Sequence, residues 1–219
     1  MGCKIKLVIA TNINDILVRF LETGTYECVT VKESLSPAMD ICVSSNFERM
    51  LWYLSLPQKM SENAITHVEP SKEDAAIASS LVTSYMKSLK LTKSFTVSAQ
   101  VLANARELFQ GFRVSDSQIN ECIASTFSKT SYVLDPHTAV GIDAVRQSKE
   151  LSDKDEVSVE VVIATAHPGK FPDTVHLALE SLNPPDFIPD GLKYTGDFRV
   201  HTCNGYEDVK EFMIKTCAK

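Results

Sequence analysis

Residues 5–24 read IKLVIATNINDILVRFLETG, and this stretch decides the fold class of the chain. Ile5 to Ala10 form a short, largely apolar run with β-branched residues, which is typical of a strand. The polar residues 11–15 follow, and apolar side chains then recur at helical spacing from Ile16 to Leu21 before Gly24, where a helix can end. A strand, a polar turn and a helix in this order form the unit from which parallel sheets are built. The sequence therefore predicts an α/β fold with an open, mostly parallel sheet and flanking helices.

The C-terminal third of the sequence has the same style. Val157 to Ala164 is mostly apolar and β-branched, which predicts a central strand covered on both faces. Asp135 followed by Pro136 predicts an N-cap and a first helical residue, with the helix running to about Glu150. Another helix is expected from about Pro172 to Leu182, and a last strand near residues 198–202 precedes a terminal helix.

The middle of the chain is dominated by helical patterns. Ser45 and Glu48 have the spacing of a capping box, which predicts a helix over about residues 46–55. From about residue 71 to 130 the pattern is helical throughout, and Ser115 begins another capping box there. We therefore predict three segments: an α/β segment at 1–56 that continues a domain whose N-terminal part is missing, a helical insertion at 57–130, and a C-terminal α/β segment at 131–219.

Composition excludes several classes of function. The chain has 219 residues, of which 44% are hydrophobic and 23% charged, as in ordinary globular proteins. Its net charge of −6 and its scattered basic residues argue against a nucleic-acid partner. No apolar run approaches the roughly 20 residues needed to cross a bilayer, so a soluble, cytoplasmic protein is expected. The 6 cysteines never form a C-x-x-C pair, which favours reduced thiols over a disulfide framework or a zinc site.

Polar residues that directly follow a strand are the first candidates for a binding site, because ligands of open α/β sheets bind at the carboxyl ends of strands. Residues 11–15 and 165–170 are two such places. The second contains a hydroxyl, an imidazole and an amine, in Thr165, His167 and Lys170. The alternative is that Thr165 caps the next helix and Lys170 is solvated, and the pattern alone leaves both readings open.

Three further polar residues are candidates. Helix initiation explains most of the segment after Asp135 but leaves His137, which could line a cleft or form local hydrogen bonds. Asn46 and Arg49 could point at a cleft or at water. His201 and Cys203 are too few to make a metal site, so no metal is expected.

Four stretches carry a resemblance to a known family: IATNINDILVRFLETGTYE (9–27), LSPAMDICVSSNFERMLWYL (35–54), YVLDPHTAVGIDA (132–144) and ATAHPGKFPD (164–173). They are similar to stretches that occur in this order in the longer form of threonine synthase, found in fungi and many bacteria. Residues 57–130 resemble that family in helical character more than in spelling.

The resemblance implies part of a fold-type II enzyme that uses pyridoxal 5'-phosphate to convert O-phosphohomoserine and water to threonine and phosphate. It implies that Thr165 binds the cofactor, with its neutral hydroxyl beside the pyridine nitrogen, to which a hydroxyl can donate a hydrogen bond. Asn46, Arg49, His137, His167 and Lys170 carry over as substrate-cleft candidates.

The family's Schiff-base lysine and its glycine-rich phosphate loop lie upstream of residues 11–15, and neither motif is in this chain. The chain alone is therefore expected to be inactive, and the full-length protein is expected to be a monomer. Two alternatives stay open: a related phospho-lyase that acts on O-phosphothreonine, and a non-catalytic fragment that has kept the fold.

Overall fold

The computed structural model describes residues 6–57, 70–151, 159–193 and 202–217. They belong to two compact units, one that extends to Ile188 and one that begins at Pro189. The first unit contains β1 (Leu7–Thr11), α1 (Ile16–Thr23), β2 (Thr25–Glu27), α2 (Phe47–Leu54), α3 (Lys72–Thr92), β3 (Ser94–Thr96), α4 (Ala99–Leu108), β4 (Phe109–Arg113), α5 (Asp116–Thr130), α6 (Pro136–Glu150) and α7 (Pro172–Leu179). In the second unit, the predicted terminal helix is confirmed as α8 (Tyr206–Cys217).

A two-stranded parallel sheet lies between two hydrophobic cores. β1 pairs with β4 in the register Leu7 to Phe109 through Thr11 to Arg113. Ile9 packs against the core built mainly by α1, α2, α3 and α4, whereas Val8 and Ala10 pack against the core built by α5, α6 and α7. Since successive side chains of a strand point to opposite faces, β1 contributes to both cores. This covered parallel sheet confirms the predicted α/β class.

Close packing of α1 on the sheet depends on Gly111 in β4. A Cβ atom at this position would lie 2.9 Å from Leu21 Cδ1 and 3.3 Å from Val18 Cγ2, both on α1. The absence of a side chain therefore lets the helix approach the strand closely. The C-terminal end of α1 is at Gly24 as predicted, with a left-handed φ of 76°.

A second, antiparallel pair of strands frames an aromatic cluster. β2 pairs with β3, with Thr25 opposite Thr96 and Glu27 opposite Ser94. Tyr26 is 1% exposed and stacks on Phe47 and Phe95 at ring-centroid distances of 5.3 and 5.1 Å. The cluster therefore ties this strand pair to α2.

Several boundary predictions are wrong. The segment at 71–130 is not helical throughout, because β3 and β4 interrupt it and β4 belongs to the main sheet. The predicted capping box of Ser45 and Glu48 does not form, and Asn46 is the N-cap of α2 without a side-chain cap bond. α7 ends at Leu179 rather than at about Leu182. The capping box that begins at Ser115 is confirmed.

A central strand was predicted at Val157–Ala164. Residues 159–164, the part of it that the structure describes, do not form a strand. Residues 159–164 pair with no other strand among the described residues. One side of the segment faces α6: Glu160 pairs with Lys149 at 2.6 Å, and Val162 lies where a Cβ on Gly141 would meet its Cγ1 at 2.9 Å. Three apolar side chains are left exposed, namely Val159 at 90%, Val161 at 75% and Ile163 at 72%.

The reason is that the β-branched pattern marks a segment suited to a sheet, whereas a strand also needs a neighbouring strand to complete its hydrogen bonds. Residues 157 and 158 lie outside the described residues. So do residues 198–201 of the predicted last strand.

Candidate functional site

The carboxyl end of β1 carries a buried polar turn. Asn12 is fully buried and Asn14 is 6% exposed, so both amides need partners inside the protein. Both Nδ2 groups donate to one oxygen, Oδ1 of Asp40, over 2.8 Å from Asn12 and 2.9 Å from Asn14. Ser34 donates its hydroxyl to Oδ1 at 2.6 Å and its backbone N–H to Oδ2 at 2.9 Å. Asp40 is thus the acceptor that joins this turn to the loop at residues 32–40.

The remaining atoms of the two asparagines fasten the same loop. Asn14 pairs with the backbone of Lys32 in both directions, each hydrogen bond being 2.8 Å long. Asn12 Nδ2 also lies 2.7 Å from Ser34 Oγ and 3.0 Å from Ser36 Oγ. The sequence identified the turn because it follows a strand, but it missed Asp40, because no local signal links a loop carboxylate to amides 26 and 28 residues earlier.

A cavity of about 140 Å³ lies beside this turn. Its lining residues are Ala10, Thr11, Asn12, Asn14, Ile16, Leu17, Ala38, Met39 and Ile41. The volume is below the roughly 300 Å³ at which ordinary ligand pockets begin. The amide groups of Asn12 and Asn14 are already hydrogen-bonded, so the cavity on its own offers little to a polar ligand.

His137 bridges the start of α6 and the loop at 32–40. It is 7% exposed, and its Nε2 accepts the backbone N–H of Ala38 at 3.0 Å. The proton of the neutral ring therefore sits on Nδ1, which faces Asp135 Oδ1 at 3.2 Å. Both ring nitrogens are hydrogen-bonded, Nδ1 locally to Asp135 and Nε2 to a residue 99 positions earlier, and the ring packs on Phe171 at a centroid distance of 4.4 Å.

Asp135 anchors this arrangement as the N-cap of α6. Its carboxylate accepts the backbone N–H groups of His137 at 2.9 Å and Thr138 at 3.2 Å, together with a short bond from the Thr138 hydroxyl. Burial alone would raise the pKa of Asp135, but the hydrogen bonds from His137 and Thr138 outweigh it and lower that pKa below its ordinary value. The carboxylate is therefore ionised at neutral pH.

The loop that holds Thr165, His167 and Lys170 lies next to this histidine through Phe171. All three candidate side chains are exposed. His167 Nδ1 accepts the backbone N–H of Gly169 at 3.1 Å and caps a short 3-10 turn at Pro168–Lys170. Thr165 does not cap the helix that follows, since Phe171 is the N-cap residue of α7. Its hydroxyl has no hydrogen-bond partner among the described residues, so it is available to a ligand.

Asn46 and Arg49 form a pair at the start of α2. Both are exposed, and Arg49 Nη2 donates to Asn46 Oδ1 at 2.8 Å. No hydrogen bond, ion pair or ring contact among the described residues joins this pair to Thr165 or to His137. The structure thus links His137 and the loop at 165–171 to the turn after β1 through Ala38 and Phe171.

Two classes of site find no support in the described residues. They contain no group of three or more His, Cys, Asp or Glu side chains placed to hold a metal ion. Among the same residues, every helix is too short or too polar to span a bilayer.

Comparisons with known proteins point to one family. A family model described as threonine synthase, C-terminal, matches residues 138–213. The threonine synthase of Schizosaccharomyces pombe is 40% identical over 199 residues, which are 85% of this chain and 37% of that protein. The chain therefore spans little more than a third of this relative's length.

Solved structures agree. Yeast threonine synthase matches with a TM-score of 0.72 at 37% identity, covering 86% of this chain and 36% of the yeast chain. The pyridoxal-phosphate-bound threonine synthase of Brucella melitensis matches with a TM-score of 0.70 at 35% identity, covering 94% of this chain and 39% of that one. The four sequence stretches, the covered parallel sheet and these similarities together show that the chain belongs to the threonine synthase family and corresponds to the C-terminal part of its members.

Proposed function

We propose that this chain is the C-terminal part of a threonine synthase that converts O-phosphohomoserine and water to threonine and phosphate with pyridoxal 5'-phosphate as cofactor. The observation that carries the proposal is the similarity of 35–40% identity to threonine synthases, one of them bound to that cofactor. The exposed Thr165 hydroxyl, without a partner among the described residues, supports it because it fits the role of donor to the cofactor's pyridine nitrogen.

Thr165 would hold the cofactor ring by a hydrogen bond and leave the ring nitrogen uncharged. When bound, pyridoxal phosphate supplies the electron-accepting ring that elimination of phosphate from an amino acid requires. A hydroxyl cannot stabilise a pyridinium as a carboxylate would, so Thr165 moderates the electron demand of the ring. We propose that the substrate cleft is lined by Asn46, Arg49, His167 and Lys170. The positive charges of Arg49 and Lys170 suit a phosphorylated substrate.

His137 is proposed to act at the floor of that cleft as a positioning residue. Its nitrogens are engaged by Asp135 and Ala38, and its ring supports Phe171 at the end of the Thr165 loop. A displacement of the turn after β1 would therefore be transmitted to the Thr165 loop through Ala38, His137 and Phe171.

We propose that the full-length enzyme also contains a segment equivalent to the part of the relatives that this chain does not span. The apolar row of Val159, Val161 and Ile163 supports this proposal because an exposed, β-branched row that pairs with no strand among the described residues suits a sheet completed by other strands. The Schiff-base lysine is expected in the same missing part, so we expect no activity from the chain alone. The proposed protein is cytoplasmic and acts as a monomer when full length.

A chimera tests the proposal. Residues 6–217 would replace the matching part of the Schizosaccharomyces pombe enzyme, and phosphate release would be measured with O-phosphohomoserine and with O-phosphothreonine. We expect turnover of the first substrate by the chimera and none by the chain alone. Preference for O-phosphothreonine would instead favour the phospho-lyase alternative, and a folded, cofactor-binding chimera that releases no phosphate from either compound would favour a non-catalytic role.

Thr165 is tested in the same chimera with a matched pair of variants. Thr165→Val removes the hydroxyl and should lower kcat by roughly 10- to 100-fold, corresponding to the loss of one hydrogen bond to the cofactor of about 1–3 kcal/mol. Thr165→Ser keeps the hydroxyl and should retain most of the activity. The cofactor's visible absorption should shift in the valine variant only, and an unchanged rate and spectrum there would contradict the assignment.

A further inference from the structure

The side chain of Asp40 is surrounded by hydrogen-bond donors from two segments. Its Oδ1 accepts the side-chain amides of Asn12 and Asn14 and the hydroxyl of Ser34, over distances of 2.6–2.9 Å. Its Oδ2 accepts the backbone N–H of Ser34 at 2.9 Å. A carboxylate can accept all of these bonds, whereas an amide in the same place would turn an N–H toward one set of donors. The position therefore requires an acid and not merely a polar residue.

The backbone of Asp40 ends the turn that presents the N–H of Ala38. A short 3-10 turn at Pro37–Met39 is closed by the Asp40 N–H, which donates to the Pro37 carbonyl at 3.1 Å. Ala38 is the middle residue of this turn, and its N–H donates to Nε2 of His137 at 3.0 Å. Asp40 thus fixes the C-terminal end of the turn that holds the hydrogen-bond donor to His137.

The bond from Ala38 determines how the ring of His137 can lie. Nε2 must be unprotonated to accept this bond, and Nδ1 then donates to Asp135 Oδ1 at 3.2 Å. The ring cannot turn without breaking one of these bonds. It packs on Phe171, which is the N-cap residue of α7 and the end of the loop that carries Thr165. The orientation of the ring therefore affects where that loop lies.

Two other attachments should keep the loop at 32–40 in place when Asp40 is changed. The Leu35 N–H donates to Asp116 Oδ1 at 3.1 Å, at the start of α5. Asn14 pairs with the backbone of Lys32 in both directions. These bonds hold the N-terminal half of the loop, whereas the 3-10 turn belongs to its C-terminal half. Loss of the Asp40 carboxylate should therefore displace the 3-10 turn without unfolding the chain.

We propose that Asp40 is a positioning residue for the reaction proposed above and that it acts on Thr165. The connection runs through Ala38, His137 and Phe171. The inference rests on the proposed function, because the role of Thr165 belongs to that function. Since Thr165 acts on the cofactor ring, loss of the Asp40 carboxylate should lower kcat and leave KM little changed.

Asp40→Asn tests the proposal in the chimera described above. The amide cannot accept the donors at both Oδ1 and Oδ2, so kcat should fall roughly 10- to 100-fold, with KM for O-phosphohomoserine within about twofold of the native value. The cofactor's visible absorption should shift as in Thr165→Val. Asp143→Asn is the matched control, because Asp143 Oδ2 also accepts two side-chain amides, from Gln118 on α5 and Gln147 on α6, at 3.1 Å each. This control should leave kcat, KM and the absorption unchanged.

A double-mutant cycle separates positioning from a general loss of stability. His137→Phe removes both ring nitrogens and keeps an aromatic ring next to Phe171. If Asp40 acts through His137, adding Asp40→Asn to this variant should lower kcat by less than about threefold further, whereas independent effects would multiply. Multiplied effects, or an unchanged kcat and absorption in Asp40→Asn alone, would overturn the proposal.

Amide hydrogen exchange of the whole 219-residue chain gives a readout that needs no activity. Asp40→Asn should speed exchange at Ala38 and Phe171 by about tenfold or more relative to Leu102, whose N–H donates to the Ser98 carbonyl at the start of α4. Equal acceleration at all three amides would reveal only a loss of global stability and would contradict positioning. An inactive native chimera would count against the proposed function instead, and the exchange rates would then decide whether Asp40 positions the Thr165 loop.

Discussion

Replacing Asn12 by aspartate tests the polar turn after β1, because the change keeps the shape of the side chain and removes a donor. In the native chain Asn12 Nδ2 donates to Asp40 Oδ1 over 2.8 Å. An aspartate has no N–H to offer, so two carboxylates would face each other where residue 12 is fully buried. Ionisation of both carboxylates at such a distance is unfavourable, so the pair shares one proton.

The shared proton sets the sign and size of the effect. The folded-state pKa of the new pair lies above the unfolded value of about 3.9. The variant therefore keeps its stability below about pH 4 and loses it as pH rises through the folded pKa. The Ser36 hydroxyl lies 3.0 Å from Asn12 Nδ2 and can donate to the new carboxylate, whereas the Ser34 hydroxyl already donates to Asp40. We therefore expect the pKa of the new pair to rise by about 2–3, which lowers the free energy of unfolding by about 3–4 kcal/mol at pH 7.

Urea unfolding of the native chain, Asn12→Asp and Asn46→Asp would be compared from pH 4.5 to 8. Asn46 is exposed and hydrogen-bonded to Arg49, so Asn46→Asp is the matched control and should stay within about 0.5 kcal/mol of the native chain at every pH. The free energy of unfolding of Asn12→Asp should fall steadily relative to both as pH rises. A difference that does not change with pH would refute the placement of Asp40 against residue 12.

Two further substitutions probe the frame around the site. Gly111→Val places a side chain 2.9 Å from Leu21 and should cost about 1–3 kcal/mol in thermal unfolding, whereas Gly191→Val, with open space around its Cβ, should change stability by less than about 0.5 kcal/mol; equal effects would contradict the close packing of α1. The hydrogen bonds to Asp135 lower its pKa, so their stabilisation is present above about pH 4 and is lost as pH falls through the folded pKa. Asp135→Asn should therefore lower stability by about 1 kcal/mol at pH 7 and weaken the loss on acidification, and an unchanged acid transition would count against the N-cap.

Local signals predicted those elements that are decided by neighbouring residues. Gly24 ends α1 in the left-handed conformation, and Asp135 and Ser115 cap their helices as the spelling indicates. β4 was missed because Phe109 continues the apolar spacing of α4, while its strand pairing with β1 involves residues about 100 positions apart. No periodicity within a window can contain that information.

The candidate site shows the same division. The turn after β1 and the residues from Thr165 to Lys170 were identified because both follow β-like runs, and the family resemblance was confirmed by the comparisons. The hydrogen bond that His137 accepts from Ala38 could not be predicted, since Ala38 lies 99 residues earlier in the chain. The predicted roles of Thr165, His167 and Lys170 toward cofactor and substrate remain to be measured.

The uncovered row of Val159, Val161 and Ile163 has a consequence for handling the isolated chain. Exposed β-branched residues in an extended segment can recruit the same segment of another molecule by strand pairing. Concentrated solutions of the chain alone should therefore self-associate and precipitate over time. Solubility should be restored when a polypeptide that completes the sheet is produced alongside it.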